Sequence, residues 1–189
     1  MKRYKKKVKY SYTMLCPHIK MTTETPIDYH NLSDKWTLWA HLPHDTDWSI
    51  NSYKKIHTVS FVEELIALIE TLPDILVKNC MLFFMRDGIK PIWEEPKNRN
   101  GGCFSYKVSE KNVPFTWKHL CYLVSGNTIS KNDKFVNKLT GITISPKKKF
   151  CVIKIWMTDC ENQNPELITN ELPEISPNGC LFKKHAPEY

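Results

Sequence analysis

The chain reads as a single α+β domain, and three features carry that expectation. Its 189 residues, 41% of them hydrophobic and 12% aromatic, suffice for one well-buried core. Strand-length runs of β-branched and aromatic residues, bounded by Gly, Pro, Asn and Asp, recur along its length. Between them lie longer segments whose apolar positions repeat at helical spacing and whose ends carry cap residues. No apolar run approaches the roughly 18 residues needed to span a membrane. The opening Met1-Lys2-Arg3-Tyr4-Lys5-Lys6-Lys7 is basic and lacks the apolar centre of a secretory signal, so a soluble cytoplasmic protein is expected.

Taken in order, residues 1–30 show no sustained period and are expected to form a flexible basic arm, with the folded domain over 31–189. Residues 35–42 predict a strand that Pro43 ends, and Trp36 and Trp39 within it read as packing residues. The loop 44–52 sets Trp48 among polar neighbours, an odd place for a core ring. Residues 53–59 predict a second strand. Ser60 and Glu63 then have the spacing of a capping box, opening a helix over 61–72. Its apolar positions Phe61, Val62, Leu65, Ile66, Leu68, Ile69 and Leu72 form one face, and Pro73 stops it. Its carboxylates Glu63, Glu64 and Glu70 read as a solvated face rather than a metal cluster.

Residues 80–86 and 103–108 predict strands of one antiparallel sheet, with the loop 87–102 hung between them. Pro91 and Pro96 stiffen that loop, and Gly101-Gly102 is expected to turn it back. A second helix over 113–125 has Pro114 in its first turn, Gly126 past its end and a core stripe of Trp117, Leu120, Cys121 and Val124. Residues 138–145 and 150–157 predict a hairpin with Pro146-Lys147-Lys148-Lys149 at its tip. The lysines suit phosphates, or equally a solvated turn. Strand alternation puts Val152, Lys154 and Trp156 on one face. A short helix over 162–172 and a last strand over 180–184 complete the expected elements.

Chemistry concentrates in the loop 87–102, where Trp93 and Glu94 stand side by side. A purine stacks on an indole for roughly 1–3 kcal/mol, and a positive charge on that purine adds about 0.5–2 kcal/mol. A carboxylate in the base plane accepts two N–H bonds from a guanine edge, at about 1.5–3 kcal/mol each. The pair therefore suits an N7-methylated, cationic guanine, although on the dipeptide alone a core tryptophan beside a solvated acid is the commoner explanation. The formal charge of +7 favours an acidic partner such as RNA. The seven cysteines, at 16, 80, 103, 121, 151, 160 and 180, have no zinc-site spacing and read as reduced, mostly buried thiols. No cofactor and no metal are expected.

Trp48, Trp93-Glu94 and a basic hairpin, all on strand-connecting loops, resemble the translation initiation factor 4E family, which binds the 5′ cap of messenger RNA. The marks are Lys35-Trp36-Thr37-Leu38-Trp39 with Trp48 downstream, and Thr58-Val59-Ser60-Phe61-Val62-Glu63-Glu64. Gly88-Ile89-Lys90-Pro91-Ile92-Trp93-Glu94 follows, running on to Lys97-Asn98 and Gly101-Gly102, and then Ile155-Trp156-Met157-Thr158-Asp159-Cys160-Glu161-Asn162. The resemblance covers about 35–185 and implies a curved antiparallel sheet backed by about three helices on its convex face. It also implies a non-enzymatic protein that recruits capped messenger RNA for translation. Trp48 and Trp93 would sandwich the 7-methylguanine, Glu94 and the Trp93 backbone N–H would bind its edge, and Trp156 would meet the methyl group. Lys147 and Lys149 fall on phosphate-contact positions, Lys148 lies between them, and Lys154, on the same strand face, would substitute for a lysine that is Val152 here. Cys103 stands where another basic contact is usual, and Phe104 replaces a tryptophan beside it.

The face that would bind a scaffold subunit maps to His30, Leu32, Val62, Ile66, Lys118 and Tyr122, and departs further. Ile66 replaces a tryptophan, Lys118 and Tyr122 replace leucines, and Asn31 replaces a proline. A divergent member with a non-standard partner fits, and lysine-rich, arginine-poor usage is in keeping with a virus-encoded one. Two other readings remain within binding proteins: a repressor that occupies caps without ordinary scaffold binding, and a general single-strand RNA binder indifferent to methylation. A cap-cleaving hydrolase would need clustered metal-binding carboxylates or a nucleophile, and no such motif is visible.

Overall fold

A computed structural model of the chain describes residues 28–169 and 171–187. The expected basic arm lies almost wholly outside the described residues. Within these residues seven strands form one sheet: β1 (Asn31–His41), β2 (Tyr53–Phe61), β3 (Met81–Arg86), β4 (Gly102–Ser109), β5 (Leu139–Pro146), β6 (Phe150–Met157) and β7 (Leu181–Lys184). Their order is β2-β1-β3-β5-β6-β4-β7, and every pairing is antiparallel. Among the described residues five helices accompany them: α1 (Val62–Thr71), α2 (Asp74–Asn79), α3 (Pro96–Arg99), α4 (Val113–Ser125) and α5 (Asp133–Asn137). Of these, α1, α2 and α4 pack together against the sheet. The sheet is curved and the fold α+β, as expected.

Strand alternation divides the apolar residues between two faces. Trp36, Leu38, Phe84, Phe104, Ile142, Ile153 and Ile155 point into the large core under the helices, where Trp117, Leu120 and Cys121 of α4 meet them. The other face carries a smaller cluster of Phe83, Met85, Cys103 and Trp156, with Trp39, Tyr53, Met81, Ile89 and Trp93 partly buried around it. This second cluster floors the concave side. Cys80, Cys103, Cys121 and Cys151 are buried, Cys160 and Cys180 are half-buried, and all six are free thiols.

Several elements differ from the sequence reading. Strand β2 continues pairing through Phe61, which lies opposite Asn31, so α1 starts one residue late and its capping carboxylate is Glu64 rather than Glu63. Glu64 accepts the backbone N–H groups of Ser60 and Phe61 at 2.8 and 3.3 Å. Glu63 is released to bind the ring and backbone N–H of His30. Among the described residues of 162–172 there is a 3-10 turn at Pro165–Leu167 rather than a helix, because Ile168 and Leu172 are drawn into the core and Thr169 N–H bonds the carbonyl of Ile129. The short helices α2, α3 and α5 are additions to the expected set. Strands β3 and β4 share the sheet but are separated by β5 and β6, so the loop between them crosses the ends of two other strands.

Candidate cap-binding cleft

A cleft of about 710 Å³ opens on the concave face. It is walled by Trp48 and Trp93, floored by Phe83 and Trp156, and bordered by Glu94, Lys147 and Lys154. Two loops that leave the sheet at opposite ends build it. One follows His41 at the end of β1 paired with Met81, and the other follows Arg86 at the far end of β3.

The Trp48 loop is held by its own polar residues. Asp47 accepts the N–H of Ser49 at 2.8 Å and its hydroxyl at 3.0 Å, and these bonds hold its carboxyl below the ordinary range. Asp45 accepts the N–H of Asp47. The Asp47 carbonyl accepts from Nε2 of His41, whose ring lies flat against Trp48 with centroids 4.3 Å apart. Trp48 itself is 57% exposed, an indole whose backing is fixed while much of its surface meets solvent.

The Trp93 loop closes around Asn98, which is fully buried. Its amide donates to the carbonyls of Lys90 and Ile92 at 3.0 and 2.9 Å, and its own carbonyl accepts from Gly101 N–H and from Nδ1 of His185. The His185 ring stacks on Trp93 at 5.5 Å and tilts against Trp156 at 4.7 Å. Gly101 serves close approach rather than a turn: a Cβ there would fall 1.8 Å from the carbonyl oxygen of Met157, and the left-handed glycine of this loop is Gly88. Glu94 is half-buried at the cleft edge. Burial, followed by the charges of Glu94 and Asp47, pushes the Tyr53 phenol up to about 12.

The cleft thus gathers Trp48, Trp93, Glu94, Trp156, Lys147 and Lys154. Lys148 and Lys149 are exposed at the hairpin tip, outside the residues that line it. On the helical side, Ile66 of α1 is 46% exposed. Lys118 and Tyr122 of α4 both bind the carboxylate of Glu70 on α1, at 2.5 and 2.8 Å. Leu32 packs against the core and His30 is tied to Glu63. His41, Tyr53, Asn98 and His185 complete the cleft's frame and were missed in the sequence. His41 had a signal, since it follows Thr37 and Trp39 on one strand face; His185 had none nearby. Among the described residues no group of three or more His, Cys, Asp or Glu side chains could hold a metal ion, and no helix is long and apolar enough to cross a membrane.

A family model described as eukaryotic initiation factor 4E matches residues 31–185. The chain belongs to that family. Among curated relatives, fission yeast (Schizosaccharomyces pombe) eukaryotic translation initiation factor 4E-2 is 29% identical over 142 residues, covering 71% of this chain and 56% of its own length. The chain therefore spans little more than half of that relative. The Saccharomyces cerevisiae factor 4E is 27% identical over 175 residues, covering 88% and 79%. A factor 4E homologue of Acanthamoeba polyphaga mimivirus is 24% identical, covering 65% and 53%. Among solved structures, a Schistosome eIF4E complexed with m7GpppG and 4E-BP superposes with a TM-score of 0.65 at 23% identity, over 71% of this chain and 75% of that one. Caenorhabditis elegans eIF4E-3 with the 4E-binding protein Mextli and a cap analog gives 0.65 at 20%, over 72% and 78%. These superpositions establish the shared fold.

Proposed function

We propose that the chain binds the 7-methylguanosine cap of messenger RNA in the cytoplasm and recruits the message for translation initiation, without catalysing a reaction. The observation that carries this reading is the presence of Trp48, Trp93 and Glu94 around one open cleft, with Lys147 and Lys154 at its border. The cationic base enters between the indoles, Glu94 accepts the N1 and N2 hydrogens, Trp156 meets the methyl group, and the lysines take the phosphates. The test is a fluorescence titration with methylated and unmethylated cap analogues. Strong preference for the methylated one supports the reading, and equal affinities would replace it with general single-strand RNA binding.

A protein partner docks on the helical face, around His30, Leu32, Val62, Ile66, Lys118 and Tyr122. Both structural relatives named above were solved with a 4E-binding protein. Here Glu70 engages Lys118 and Tyr122, which makes the α1–α4 surface polar and favours a non-standard scaffold or a repressor role. Recovery of a scaffold subunit by the wild-type chain, lost in Ile66→Asp, would exclude the repressor.

A further inference from the structure

Each indole at the cleft is backed by a buried histidine that cap recognition as described does not use. His41 lies 2° from the plane of Trp48, and His185 lies 14° from that of Trp93. Both imidazoles are held by hydrogen bonds to backbone carbonyls, of Asp47 and of Asn98 respectively, so neither ring can turn away without breaking one. Nε2 of His185 is buried with no hydrogen-bond partner among the described residues. The groups facing His41 are Asp47 from the adjoining loop, Tyr53 from β2 and the neutral Met81 paired to it on β3. Those facing His185 are Lys154 and Trp156 from β6, Trp93 from the cleft loop, and Asn98 from α3.

Resting on the cap-binding reading above, we propose that His41 and His185 are positioning residues that act through Trp48 and Trp93, making the preference for a cationic over a neutral base depend on their own protonation. A neutral imidazole fixes the plane of the indole and leaves its π electrons to the ligand. An imidazolium draws on the same π electrons from behind and repels a cationic base across the ring. A neutral base lacks that repulsion. Acidification therefore lowers affinity for the methylated base more than for the unmethylated one. Every other charge at the cleft is common to the wild type and to variants at the two histidines, so the difference between their profiles isolates the imidazoles.

The experiment measures binding of m7GpppG and of its unmethylated counterpart to the full chain between about pH 5 and about pH 7.5. Neither ligand has a terminal phosphate to titrate, and the N1 proton of the methylated base, which loosens towards neutrality, affects the wild type and the histidine variants alike. The methyl preference of the wild type is expected to fall about threefold to tenfold towards the acid end. In His41→Phe with His185→Phe, which keeps two neutral rings behind the indoles, that fall relative to the wild type is expected to be lost. Each single variant, checked for cooperative melting, should show a reduced slope, which carries the comparison if the double variant does not fold. A wild-type profile that coincides with that of the Phe variants overturns the proposal. Failure of the wild type to bind m7GpppG near pH 7.5 instead overturns the cap-binding reading on which it rests.

Discussion

Trp93 and Glu94 are neighbours in the chain but differ in surroundings. The indole rests on the His185 ring, whereas Glu94 lies half-buried at the rim. Glu94→Gln keeps the shape but turns one acceptor into a donor that faces the guanine N–H groups. The expected loss is about 3 kcal/mol of cap-analogue affinity with little change in melting temperature. Isothermal titration and a thermal melt check both parts. The double change Lys147→Ala with Lys154→Ala should weaken the triphosphate analogue and flatten its salt dependence while leaving the methylated nucleoside nearly unaffected. Equal losses for the two ligands would remove the lysines from the phosphate site. Residue chemistry singled out Trp93-Glu94 as candidates, and the structure places both at the cleft. That Lys147 borders the cleft while Lys148 and Lys149 stand outside it was not legible in the sequence, because three consecutive lysines at a hairpin tip look alike until the cleft exists.

Helix α4 begins and ends where Pro114 and Gly126 predict, since its limits are set by local backbone chemistry. For α1 the local pattern is one residue off: the sheet register extends β2 and hands the cap to Glu64. Glu64→Ala is therefore expected to destabilise the fold by about 0.5–2 kcal/mol in chemical denaturation, more than Glu63→Ala. The Trp93 loop is an element of another kind, irregular in backbone but centred on one buried amide. Replacing Asn98 by Ala strips two donors from the carbonyls of Lys90 and Ile92. The expected cost is about 2–4 kcal/mol of stability, with weakened cap-analogue binding, although Asn98 does not line the cleft. Unchanged binding would show that the loop keeps its form without this clamp.

Across the whole molecule, β7 closes the site from the far end of the chain. His185 follows the last strand and reaches Asn98, Trp93 and Trp156, linking the sheet edge to the cleft loop. Burial lowers its pKa below the ordinary 6.5. The unfolded chain thus binds more protons than the folded one as pH drops below that value. The contribution to stability is complete above it and is lost progressively on acidification. Denaturation midpoints against pH should fall on the acid side, and His185→Phe should reduce that slope. By itself the sequence determined the fold class, most strand and helix positions and the family, and it singled out Trp93-Glu94 as candidates, because periodicity, caps and motif spacing act between residues close along the chain. Tertiary structure alone decided which side chains line the cleft and that His185 backs Trp93. Those contacts join loops at opposite ends of a sheet to a strand near the C-terminus, and only the pairing order β3-β5-β6-β4-β7 brings them within van der Waals reach.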